Sequence, residues 1–290
     1  LETTVFRELP ELSILRRNWL DYEDPATTHQ VSVGSVTVGG SRPVVIAGPC
    51  AVESFEQTLG IAEAVSRAGG DLLRGGAFKP RSNPHSFQGL GNEALEILKE
   101  VRARTGLGVV TEVMDPRLVD HMSTCVDVLQ IGSRSMQNFP LLKEVGRTNR
   151  PVLLKRGWSA TLEEWLCAAE YIALEGNRDI MLCERGVRAS CHDGYARHIL
   201  DLNVVEAVRH AVPFPVIVDP SHAAGEASRV AALACAALAA GAHGLLIEVV
   251  LSEEQRADLK CDASQGVLPD SLADITVFAR GTGKTAKAEV

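Results

Sequence analysis

The sequence predicts a single-domain (β/α)8 barrel of the TIM type, α/β in class, preceded by a short N-terminal hairpin. Three observations predict it. Eight short apolar runs recur along the chain, segments with helical periodicity separate them, and nearly every run ends on an ionisable or glycine-flanked position. Eight alternations call for a parallel sheet, and the number eight favours closure. An open doubly wound sheet is the rival, but no G-x-G-x-x-G turn follows the first run.

The elements follow in order. A charged leader fills 1–30, and VSVGSVTV (31–38) alternates before GlyGly, as a hairpin would. The strand candidates are VVIA (44–47), DLLR (71–74), GVVT (108–111), DVLQI (127–131), PVLLK (151–155), DIMLC (179–183), PVIVD (215–219) and GLLIE (244–248). Between them lie helical patterns such as 54–69, 92–105 and 161–176. The stretch 229–241 is almost wholly small or apolar, as a helix pressed on a sheet should be. No composition break divides the middle of the chain. The expected division is therefore leader and hairpin at 1–40, barrel at 41–280 and a disordered tail at 281–290. The GTGKT in that tail is too short and too late for a phosphate-binding P-loop.

Bulk composition narrows the function. With a net charge of -8, nothing suggests a nucleic-acid partner, so cations for an anionic ligand must be gathered locally. No apolar run reaches the roughly 20 residues of a membrane span, and the amphipathic N-terminus is unlike a secretory signal. A soluble, cytoplasmic protein is expected. The seven cysteines are odd in number and widely spaced, which argues against a disulfide framework and a cysteine-only zinc site.

In such barrels chemistry gathers at the C-terminal strand ends. Here those ends carry Cys50, Arg74, Glu112, Arg134, Lys155, Glu184, Arg185, the DPSH segment (219–222) and Glu248. Any one of them alone reads as a surface ion pair. Together, around one mouth, they read as an active site. Arg74, Lys79, Arg81, Arg134, Lys155 and Arg185 would repel one another without a ligand, which argues for a substrate bearing several negative charges. The long loop 74–91, rich in Gly, Pro and basic residues, suits a segment that wraps it. Cys50, His222, Glu248 and an acid beyond the last strand, Asp262 or else Asp258, offer mixed donors for a divalent metal without selecting one. A buried structural thiol and a loop-capping imidazole are the bland alternatives for the first two.

At these residues the chain resembles the type I 3-deoxy-7-phosphoheptulonate (DAHP) synthases, in the compact branch that is also similar to the 3-deoxy-octulosonate 8-phosphate (KDO8P) synthases. The matching text includes IAGPCAVES (46–54), RGGAFKPRS (74–82), LQIGSRSMQN (129–138), PVLLKRGWSAT (151–161) and PVIVDPSHAAG (215–225), and KPRS favours the DAHP branch. The resemblance implies a metal-dependent condensation of phosphoenolpyruvate with an aldose phosphate, erythrose 4-phosphate, releasing phosphate. It implies that Cys50, His222, Glu248 and Asp262 hold the ion, which could be Mn, Fe, Co or Zn. Arg74, Lys79, Arg134, Lys155 and Arg185 would hold phosphoenolpyruvate, and Arg81 with Ser82 the aldose phosphate. Lys79, Glu112 and His222 would stand at the reacting atoms, Glu112 positioning water. A homo-oligomer is the default by analogy. A Schiff base on Lys155 is disfavoured, because a lysine among phosphates stays protonated.

Two segments depart from the family pattern, RASCHDGYARHILDL (188–202) and EVVLSEEQRADLKCDASQ (248–265). Both overhang the aldose end, so surface drift and an altered acceptor are both open. Residues 1–40 are too few for an added regulatory domain, so the chain is expected to escape feedback inhibition by aromatic amino acids. The rival classes are a KDO8P-type synthase and a degenerate barrel that acts as a binding or regulatory partner.

Overall fold

Each strand candidate is a strand, and the eight of them close on themselves. The computed structural model describes residues 27–189, 194, 196–261 and 263–282. A hairpin comes first: β1 (Val31–Val33) pairs antiparallel with β2 (Val36–Val38), with Val31 opposite Val38. Gly34 turns it at φ 58, a left-handed position that glycine occupies without a Cβ penalty.

The barrel strands are β3 (Val44–Gly48), β4 (Leu72–Arg74), β5 (Gly108–Glu112), β6 (Val128–Ile131), β7 (Val152–Lys155), β8 (Ile180–Glu184), β9 (Val216–Val218) and β10 (Gly244–Glu248). All neighbours are parallel, and β10 pairs with β3 from Gly244 opposite Val44 to Glu248 opposite Gly48, which closes the ring. The outer helices are α1 (Phe55–Arg67), α2 (Asn92–Thr105), α3 (Val119–Cys125), α4 (Phe139–Gly146), α5 (Leu162–Leu174), α6 (Leu202–Ala211), a short α7 (Pro220–Ala224), α8 (Ala227–Ala239), α9 (Glu253–Asp258) and α10 (Pro269–Thr282). Helix starts carry the expected signals. Ser54 caps α1, and Thr161 with Glu164 forms a reciprocal capping box on α5. Because α10 continues to Thr282, the first two residues assigned to a disordered tail are helical, and 283–290 lie outside the described residues.

Strand side chains alternate with a period of two, and this divides the core in two. Val45, Ala47, Leu73, Val109, Leu154 and Ile247 point outward and pack with the helices. Val44, Ile46, Leu72, Val110, Val128, Leu153, Met181, Ile217 and Leu246 point inward and pack with Val31, Val33 and Val38 of the hairpin. The hairpin thus packs against the lower lumen.

The same parity sets the chemistry above it. Two residues beyond Leu72, Val110, Leu153, Ile217 and Leu246 come Arg74, Glu112, Lys155, Asp219 and Glu248. Inward parity therefore delivers those charges to the upper lumen. Glu184 has the opposite parity. It is fully buried outside the ring, where its Oε2 accepts from Arg156 Nη1 at 3.1 Å, so it is a structural partner rather than a member of the mouth.

Among the described residues Cys50, Cys125, Cys183 and Cys261 are buried and Cys167 and Cys235 partly so, all six as free thiols. Among these residues no helix is long and apolar enough to cross a membrane.

His243, between α8 and β10, ties the lower rim together. Its Nδ1 accepts from Val216 N at 3.1 Å, and its Nε2 lies 3.2 Å from Thr28 Oγ1. Burial, aided by nearby Arg209, pushes its pKa down to about 4. Between the ordinary value of about 6.5 and 4 the unfolded chain binds the extra proton, so this group's contribution to stability is lost as pH falls through that window. Thermal unfolding from pH 7 to 4 should show it. The His243→Gln variant should lose part of the acid destabilisation, up to roughly 3 kcal/mol. Identical pH slopes in the two proteins would disprove the role.

Candidate active site

The upper lumen opens into a cleft of about 310 Å3 whose lining includes Cys50, Lys79, Glu112, Arg134, Arg185 and His222, with Arg81, Ser82 and Arg197 at its sides. The residues singled out in the sequence thus divide into two tiers. Lys79, Arg81, Ser82, Glu112, Arg134, Arg185, Cys50 and His222 face the cleft. Arg74, Lys155 and Glu248 lie beneath it, each less than a twentieth exposed.

The lower tier is a chain of opposed charges. Arg74 Nη1 donates to Glu248 Oε1 at 2.6 Å, and Glu248 Oε1 lies 3.4 Å from His222 Nε2. His222 Nδ1 is 2.7 Å from Asp219 Oδ2, which also accepts from Lys155 Nζ at 2.6 Å. Burial would raise the Glu248 pKa, but the charges of His222, Arg74 and Lys79 bring it to about 2. Asp219, also penalised by burial, is held well below its ordinary value by His222 and Lys155. For His222 burial wins and pushes the pKa to about 4, against the pull of Asp219 and Glu248. At neutral pH the imidazole is therefore uncharged, and Arg74 and Lys79 are the cations that hold Glu248 ionised. Nδ1 carries the proton toward Asp219, which leaves Nε2 as a lone-pair donor.

At the other edge two thiols meet. Cys50 Sγ is 2.9 Å from Cys261 Sγ, Lys79 Nζ is 3.3 Å from Cys50 Sγ, and Arg81 Nη1 is 3.3 Å from Cys261 Sγ. The hydrogen bond from Cys50, with Lys79 and Arg81 nearby, brings Cys261 down to about 6, while the same bond and burial raise Cys50. The two thiols titrate as a pair, with Cys50 held up and Cys261 held down. Burial opposes the charge on Lys79, yet the two sulfurs keep its pKa above the usual lysine value.

Glu112 reaches the cleft because residue 132 is glycine. A Cβ there would collide with Glu112 Oε1. Gln130 Nε2 approaches Oε2 at 3.4 Å, whereas Oε1 is buried with no hydrogen-bond partner. An acceptor buried without a donor is costly, and a bound water or ligand proton would satisfy it.

Asp262 lies outside the described residues. Its neighbours are pinned to the site: Lys260 N and Cys261 N donate to the Glu53 carboxylate at 3.0 and 3.1 Å, and Gln265 Nε2 donates to Glu248 Oε2 at 2.8 Å. Asp258 is exposed at the end of α9.

The chain is similar to known proteins over most of its length. The model of the "DAHP synthetase I family" matches residues 24–287. The chain belongs to that family. A Thermotoga maritima phospho-2-dehydro-3-deoxyheptonate aldolase is 45% identical over 219 residues, which is 76% of this chain and 64% of that protein. The matched part thus spans less than two thirds of that relative. A 2-dehydro-3-deoxyphosphooctonate aldolase from Syntrophobacter fumaroxidans is 32% identical over 88% of this chain and 94% of its own length. A crystal structure of the Thermotoga maritima DAHP synthase superposes with a TM-score of 0.82 at 39% identity, covering 90% of this chain and 74% of that one. A truncated form of the synthase from the same organism gives 0.79 at 36% identity, covering 90% and 93%.

Several site residues escaped the sequence reading. Asp219 was visible only as part of DPSH, and Cys261 only as one cysteine among seven, although its place beside Asp262 was a usable signal. Arg197 sits in a rebuilt loop that offers no family landmark. Trp158 follows Lys155-Arg156-Gly157, and its position directly after a cation-bearing strand end was the available clue.

The Lys155–Asp219 pair yields a direct test. Replacing Lys155 with Met leaves a buried carboxylate without its cation and should destabilise the protein by about 3–5 kcal/mol in urea. It also removes a charge that lowers the His222 pKa, so that pKa should rise from about 4 in a histidine-detected NMR titration. An unshifted His222 would show that Lys155 does not act through this chain.

Proposed function

We propose that the chain is a DAHP synthase, condensing phosphoenolpyruvate with erythrose 4-phosphate and releasing phosphate. The observation that carries this reading is the tiered lumen, in which Lys79, Arg81, Arg134, Arg185 and Arg197 line one cleft above a charge-balanced floor. Such a cleft suits a compact substrate with both phosphate and carboxylate groups. Arg81 and Ser82, which also line the cleft, suit the phosphate of an aldose.

In this reading C3 of phosphoenolpyruvate attacks the aldehyde carbon, and a C–C bond forms as the carbonyl becomes a hydroxyl. Water adds at C2, and the C–O bond to phosphate breaks with the electron pair leaving on phosphate. The unpartnered Oε1 of Glu112 accepts a proton from that water. Lys79, held protonated beside the two sulfurs, donates toward the developing alkoxide. Arg134 and Arg185 hold the anionic groups as charge moves onto the leaving phosphate.

A divalent metal fits the donors present. Nε2 of His222 is a free lone pair, Glu248 is ionised, and their 3.4 Å separation is about that of two ligands around one tetrahedral ion. Among the described residues no three His, Cys, Asp or Glu groups stand ready-assembled around an ion, and Cys50 turns instead to Cys261 and Lys79. Cys50, His222, Glu248 and Asp262 are the proposed ligands. When bound, such an ion supplies Lewis acidity at the aldehyde oxygen.

A KDO8P-type acceptor is the second reading, favoured by the octonate-aldolase relative and by the rebuilt segments over the aldose end. Phosphate release from phosphoenolpyruvate, measured with each aldose and with Mn, Fe, Co or Zn, separates the two. Release with erythrose 4-phosphate is expected. Release only with arabinose 5-phosphate selects the second reading, and none under any condition defeats both. Light scattering tests the accompanying proposal of a homo-oligomer.

The Glu112→Gln variant should lose about 100-fold or more in kcat with little change in KM for phosphoenolpyruvate. Gly132→Ala should reproduce the loss by displacing Oε1 with an unchanged carboxylate. A Gly132→Ala enzyme with full kcat would contradict the assigned position of Glu112.

A further inference from the structure

Trp158 lies on the wall of the cleft at the loop after β7, and guanidinium groups from two other loops converge on its ring. Arg188 stands 4.5 Å from the ring centroid, Arg134 4.6 Å and Arg185 6.0 Å. Arg134 comes from the loop after β6, and Arg185 and Arg188 from the loop after β8. The backbone ties the same loops: Arg188 N donates to Trp158 O at 2.7 Å, and Gly157 N reaches Met136 Sδ at 3.1 Å. A second cavity of about 480 Å3 lies behind, and Arg134 and Trp158 line both. The stacked pair is therefore a partition between two spaces and not part of the packed core.

Like charges gathered before the substrate arrives repel one another, and the fold must hold them by some means. The lower tier uses carboxylates for its cations. A carboxylate placed among the upper arginines would hold them equally well, but it would compete with the anionic groups of the substrate. An aromatic face attracts guanidinium through its quadrupole while contributing no net charge. It orders the arginines without adding a negative charge that would compete with the ligand.

We propose that Trp158 is a positioning residue that preorganises Arg134 and Arg185, with Arg188 at the rim, for a phosphorylated carboxylate substrate. The inference rests on the assignment of phosphoenolpyruvate to this cleft, and the ring acts through the arginines without touching the reacting atoms.

The test uses the full chain, with phosphoenolpyruvate affinity read by calorimetry and turnover by phosphate release. Trp158→Leu should weaken phosphoenolpyruvate binding about tenfold and raise KM in step, while kcat at saturation stays within about threefold. Trp158→Phe, which keeps an aromatic face, should recover most of the affinity. Fluorinated tryptophans installed at position 158 alone preserve the shape and drain the ring's electron density, so affinity should fall stepwise with each added fluorine even if the Leu variant fails to fold. Affinity independent of fluorination overturns the inference and leaves the proposed function standing. A wild-type chain that binds no phosphoenolpyruvate overturns both.

Discussion

The site stands on the buried sequence of contacts Arg74–Glu248–His222–Asp219–Lys155, which crosses the lumen with ends of one sign and acids within. Two cations and two carboxylates leave the floor neutral when the imidazole is uncharged. Isolated charges at that depth would be expelled or neutralised, and each is retained because its neighbours oppose it. That neutrality lets the tier above be frankly cationic inside a protein whose net charge is -8. It also fixes the orientation of His222, since Asp219 claims one ring nitrogen and turns the other toward the cleft.

The barrel was legible because parallel strands buried on both faces read as continuous apolar runs, and the eight runs became β3 to β10 with ends shifted by a residue or so. The hairpin signal was equally local. Strand parity was available but not applied: Glu184 and Arg185, neighbours in sequence, were both placed at the mouth, yet they face opposite sides of the ring. What could not be read was pairing. That Lys155 spends its charge on Asp219, or that Cys261 meets Cys50 from 211 residues away, depends on closure of the ring and has no local signature. The rebuilt segments after β8 and β10 were visible as departures, but their consequence was not. Glu53 receives the backbone of 260 and 261, so the longer last loop still returns to the site.

Neutral and charged supports divide the work between the tiers. Below, ion pairs hold charges that never need to be free. Above, Trp158 and the thiol pair add softer contacts that order the cations. Gly132 contributes by omission, since the missing Cβ is the space that Glu112 occupies.

The hairpin at the opposite end has a consequence for traffic. Val31, Val33 and Val38 pack onto inward strand side chains that already fill the lower lumen, so that end is closed. Whatever enters must leave through the same opening, so a molecule seated deepest must arrive first, and any co-reactant that follows stands in its way out. The packed interior of the ring, to which the hairpin valines add, thereby bears on the order of arrival and departure.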